Sequence, residues 1–167
     1  MTTNNLISRI VSFFTEKKND LKNNRDEGEN DLLDTLKFAE FCDLKEDSPS
    51  GNALFGYGSL KSDYRPIDDK NLIIEVKYIR KSHSSYTECE IKNALSQIIE
   101  QAICKDVKKA ILLIIDAGRA SNRMLNAIEG KFISMFQQNP FNINLSIVRI
   151  RVIENNDKDI NIEAEIV

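Results

Sequence analysis

The chain has 167 residues, 41% hydrophobic and 29% charged, with a formal net charge of −3. Those values suit one globular domain whose core needs no disulfide or metal staple. They exclude a strongly basic nucleic-acid coat, and no apolar run approaches the eighteen or so residues needed to cross a bilayer, so no membrane partner is expected.

The start, MTTNNLISRI, lacks the charge and apolar run of a secretory leader, which makes a cytoplasmic setting the expectation. Residues 4–22 carry Leu6, Ile7, Ile10, Val11, Phe14 and Leu21 at helical spacing, predicting an N-terminal helical extension within 1–25. After KNNRDEGEN, broken at Gly28, a second helix is expected from Glu29 to Cys42 with Leu32, Leu33, Leu36, Phe38 and Ala39 as its apolar positions. DLKEDSPSGN (43–52) has loop composition. Three strands should follow, at 53–60, 62–67 and 71–79. The DDKN between the last two is tight-turn chemistry and implies an antiparallel hairpin, while Pro66 limits its strand to an edge or an early end.

Helical spacing returns from about Tyr86 to Cys104, with Ile91, Leu95, Ile98, Ile99, Ala102 and Ile103 facing inward. Thr87 reads as its N-cap, with Glu90 completing a capping box. Cys104 reads as a small buried hydrophobe. AILLIID, 110–116, is a wholly apolar strand ending on Asp116. A helix over 121–137 capped by Ser121, a strand over 143–153 and an edge strand over 159–166 complete the chain. This order predicts an α/β fold: a mixed sheet with helices on both faces.

Charge is uneven along the chain. Residues 61–81 hold six Lys/Arg against four acids, and 105–131 hold six against three, whereas Glu154–Val167 holds five acids and one lysine. Local basic surface could therefore meet a polyanion. Cys42, Cys89 and Cys104 form no CxxC pair and His83 is the single histidine, so neither zinc nor a disulfide scaffold is expected.

One local pattern calls for a chemical explanation. Glu75 and Lys77 flank Val76 inside the greasy run LIIEVKYI, where ionised groups are rare unless paired or bound to a metal. Two residues apart on a strand, both point to one face. A turn at 68–71 sets Asp63 roughly opposite Glu75. Two carboxylates suit Mg²⁺, with Mn²⁺ as a substitute, and a lysine beside them suits water positioning or charge stabilisation. Asp68 and Asp69 are rival first acids, but they fall in the turn, displaced from Glu75.

Asp63, eleven intervening residues and Glu75-Val76-Lys77 resemble the motif of the PD-(D/E)XK nuclease superfamily, the restriction-endonuclease-like fold. Residues 29–116 also read in that family's α-βββ-α-β order, making 29–116 the motif-bearing core and 117–167 a C-terminal helix and strands of the same single domain. The resemblance implies a metal-dependent nuclease acting on DNA, with Asp63 and Glu75 as metal ligands and Lys77 as a catalytic lysine. It further implies a glutamate on the first core helix, Glu29 rather than Glu27, and a glutamine after the lysine strand, Gln97 or Gln101 four residues on, with Gln97 preferred. Asp63 departs from the family pattern in following Ser62 rather than a proline. Lys81, Arg119 and Arg123 are candidate phosphate contacts, weighed against ordinary solvated charges. No separate DNA-reading domain is apparent, which implies a homodimer, a subunit of a larger system, or weak specificity. The rival expectations are a catalytically silent nuclease fold that binds a partner protein, and a nuclease toxin acting on DNA or RNA.

Overall fold

The computed structural model describes residues 2–24, 26–47, 63–79, 84–116, 142–154 and 160–166. Among these residues five helices, α1 (Thr3–Glu16), α2 (Lys18–Asn23), α3 (Glu29–Leu36), α4 (Phe38–Phe41) and α5 (Ser84–Cys104), flank a sheet of six described strands. Its strands are β1 (Leu44–Glu46), β2 (Tyr64–Pro66), β3 (Leu72–Ile79), β4 (Lys109–Asp116), β5 (Asn144–Glu154) and β6 (Ile160–Ile166), adjacent in that order. β1, β2 and β3 form an antiparallel meander, β3, β4 and β5 run parallel, and β6 returns antiparallel along β5. The α/β class, the mixed sheet, the hairpin and the placing of β4 beside the Glu75 strand match the sequence expectation.

Alternation along the central strands builds two cores. Leu72, Ile74, Val76 and Tyr78 of β3, with Ile111, Leu113 and Ile115 of β4, face α1–α4. Ile73 and Ile79 of β3, with Ala110, Leu112 and Ile114 of β4, face α5. Strands covered on both faces read as near-continuous apolar runs, as 110–115 does, and 72–79 apart from Glu75 and Lys77. Each fully buried large apolar side chain here is worth roughly 1.5–3 kcal/mol over exposure. On the first face an aromatic group closes the packing: Phe13 sits edge-on to Phe14 and Phe38 at 5.0 and 5.3 Å, and Phe38 meets Tyr64 at 5.7 Å.

Several expectations are corrected. The helix expected over 4–22 is two helices, divided at Lys17, whose N–H donates to the Phe13 carbonyl. The one expected over 29–42 breaks at Lys37, which is left-handed (φ 59°) and donates its N–H to the Asp34 and Leu33 carbonyls. That break turns Phe38 into the aromatic core, where it is fully buried. The segment read as loop contains β1, which pairs Leu44 with Pro66 and Glu46 with Tyr64. β2 therefore lies inside the sheet, and Pro66 acts by ending it. α5 starts at Ser84, so Thr87 lies within the helix instead of capping it. Ile103 and Cys104, expected inward, are exposed. The strand expected at 53–60 and the helix expected at 121–137 lie outside the described residues.

Candidate functional site

The site forms just before β2 begins. β2 has three residues and β3 has eight, and among the described residues Tyr64 opposite Ile74 is the β2–β3 register pair. Beyond that pair the β3 edge still carries the backbone N–H groups of Val76 and Tyr78, which need acceptors. Carboxylates provide them. Asp63 Oδ2 accepts from Val76 N at 2.7 Å, and Glu29 Oε2 accepts from Tyr78 N at 2.6 Å. Continuing the register by one residue sets Asp63 across from Glu75. Glu29 arrives from the other layer, at the first residue of α3, where an acid also complements the helix dipole.

Glu75 is 3% exposed and points to the α5 face. Its Oε1 lies 3.4 Å from Lys77 Nζ, two residues along the same strand face. Its Oε2 is buried with no hydrogen-bond partner among the described residues. Burial, reinforced by the negative charge of Asp63 and then Glu29, pushes the Glu75 carboxyl up to about 8 against the opposing pull of Lys77. For Lys77 burial favours the neutral amine, but Glu75, Glu29 and Asp63 outweigh it and hold the ammonium above its ordinary range. Tyr64 is pushed up to about 12 by burial and by Asp34, Asp63, Glu46 and Glu29, so its phenol stays neutral. Among the described residues, three acids face one lysine here.

The structure therefore brings together Asp63, Glu75, Lys77 and Glu29. Of the rivals, Asp68 is exposed, and Asp69 is engaged in the turn, accepting from Asn71 N at 2.9 Å and pairing with Lys109 at 3.3 Å. Gln97 is exposed, whereas Gln101 is 2% exposed. Asp116 ends β4 fully buried, 3.5 Å from Arg151. Lys81, His83, Arg119 and Arg123 lie outside the described residues. Among the described residues no group of three or more His, Cys, Asp or Glu side chains has the arrangement of a metal site, and no helix is long and apolar enough to cross a membrane.

A buried carboxylate oxygen with no donor among the described residues, close to Asp63, fits a small hard cation that takes one or two carboxylates and fills its shell with water. Sequence reasoning missed a second ionic group, Asp47 with Lys105 and Arg65, at the other side of Asp63. The chain matches no family model, no curated protein and no solved structure.

Proposed function

We propose that the protein is a Mg²⁺-dependent nuclease acting on DNA, with a restriction-endonuclease-like core of the PD-(D/E)XK kind. The observation that carries this reading is Glu75: buried, one oxygen without a donor among the described residues, and set between Asp63 and Lys77 on β3. The order α3–α4, β1–β2–β3, α5, β4 supports it, with Leu44–Glu46 as the first meander strand.

Asp63 and Glu75 would hold Mg²⁺ or Mn²⁺, which when bound supplies charge neutralisation at a phosphate and a more acidic water. Lys77, on the same face, is placed to orient that water or to steady negative charge growing on the scissile phosphate. Glu29 and Asp63 each commit one oxygen to the β3 backbone, so their position is set by the strand itself. Lys81, Arg119 and Arg123 remain proposed phosphate contacts, and a homodimer or a larger complex the proposed working form, in the cytoplasm. Of the two glutamines, Gln101 is the buried one, so a supporting role passes to it from Gln97.

The lack of a ready three-donor metal group among the described residues favours a second reading, a silent nuclease fold that binds a partner protein. Nicking of supercoiled DNA in Mg²⁺, Mn²⁺ or EDTA separates the two. The nuclease reading expects metal-dependent cleavage that Lys77→Ala lowers by about 10²–10³ with little change in melting temperature. A wild type inert with DNA and RNA in every metal would favour the binding module. An active wild type matched by its Lys77→Ala variant would remove Lys77 from the chemistry.

A further inference from the structure

Asp47 and Lys105 form a buried ion pair, their side chains 3% and 5% exposed. Asp47 follows β1 directly, and Lys105 follows the last residue of α5. Arg65 approaches from β2, its Nε 3.7 Å from Asp47 Oδ1, while its guanidinium also donates to the Lys70 carbonyl at 2.6 Å. The tie therefore joins three elements that are distant in sequence.

Burying such a group is a poor route to stability. Desolvation of the charges offsets most of their attraction, and well-packed apolar side chains of similar size do as well or better. A consequence for conformation is the more useful place to look. The Asp47 N–H donates to the Asp63 carbonyl at 3.3 Å, and the Asp63 carboxylate accepts from Val76 N. Contacts thus run without a gap from Lys105 through Asp47 and Asp63 to the strand that carries Glu75. The charges that shift Glu75 are Asp63, Lys77 and Glu29, with neither Lys105 nor Arg65 among them. The tie reaches the site through the backbone and not through its field.

We infer that Lys105 is a positioning residue: by clamping Asp47 it fixes the backbone at Asp63 and so the carboxylate that would hold the metal with Glu75. This role rests on the nuclease reading. Its test is the double variant Lys105→Met/Asp47→Leu, which removes both charges and leaves none of the pair buried alone. Three quantities are compared with wild type: Mn²⁺ affinity by calorimetry, hydrogen exchange at the Val76 amide by NMR, and the melting temperature in EDTA.

The double variant should melt no lower than wild type, exchange Val76 faster, and bind Mn²⁺ about 10–100-fold more weakly, the usual cost of losing a ligand's supporting partner. Lys105→Arg, which keeps the ion pair, should retain wild-type affinity and protection. A folded double variant with wild-type Mn²⁺ affinity and Val76 exchange would overturn the role. If the double variant does not fold, Lys105→Gln carries the same test with the same overturning result. A wild type that binds no Mn²⁺ and cleaves nothing overturns the nuclease reading and this role together, whereas an active wild type with an indifferent variant overturns this role alone.

Discussion

Two ionic groups lie on either side of Asp63, and they are compensated in opposite ways. Around Glu75, among the described residues, three acids face one lysine, a buried oxygen has no donor, and the carboxyl is pushed up to about 8. Around Asp47, one acid faces Lys105 and Arg65. The first group is the one proposed to take an added cation. The second pairs its acid with two cations and ties β1, β2 and the end of α5 together. Asp63 belongs to both, its side chain to the first and its carbonyl to the second. Burial alone therefore does not mark a charge as functional; the unbalanced group is the one that asks for a ligand.

The sharpest way to break this comparison is to delete one lysine from each group. Lys105→Met alone takes from the buried Asp47 carboxylate its nearer cation, and should cost about 3–5 kcal/mol in urea unfolding. Lys77→Ala should cost far less, because Lys77 is partly exposed and Glu75 can take up a proton in its place. Equal losses from the two lysines would dissolve the distinction.

The next effect is a pH dependence confined to the acidic group. The folded Glu75 carboxyl is raised above its unfolded value of 4.5, to about 8, so the fold prefers its neutral form. Its contribution to stability is full below pH 4.5 and is lost as pH rises through about 8. In EDTA, stability should fall between those limits by about 1.4 kcal/mol per pH unit at most, a few kcal/mol in all from this residue. Glu75→Gln should flatten that part of the profile and leave the protein more stable than wild type at pH 8. Mg²⁺ added to wild type at pH 8 should restore part of the loss. Thermal melts across pH, with and without metal, measure all three; a wild-type profile unchanged by Glu75→Gln would mean the acids do not strain one another.

Much of this was legible in the residues themselves. The largely apolar runs at 72–79 and 110–115 announced strands buried on both faces, and the DDKN turn set the register that puts Asp63 across from Glu75. β1 was not legible, because three residues with one buried side chain, Leu44, show no alternation. The break at Lys37 carried no Gly or Asn signal, and its cause is the distant demand of Tyr64 and Phe13 for Phe38. On α5 the buried stripe runs through Ile91, Ala94, Leu95, Ile98 and Ala102, with Gln101 at its rim. Four residues advance a helix by about 400°, so Gln97 sits about 40° further round and reaches solvent. Ile103 and Cys104 leave the stripe for the same reason. The Asp47–Lys105 tie spans 58 positions, and no local pattern announces a contact of that kind.

The smallest expected effect calibrates the other two. Arg9 and Asp43 form an ion pair with side chains 37% and 52% exposed, and Arg9 also lies over the Phe41 ring at 5.8 Å. Water already solvates both charges, so bringing them together gains little and costs side-chain freedom. A double-mutant cycle with Arg9→Met and Asp43→Asn should give a coupling of about 0.2–1 kcal/mol, shrinking further in high salt. Met keeps an apolar stem over Phe41, so the cycle reads the charges and not the packing. If this exposed pair proved as strongly coupled as Asp47–Lys105, burial would not be what separates the ion pairs of this fold. The contrast drawn between the two groups beside Asp63 would then need another cause.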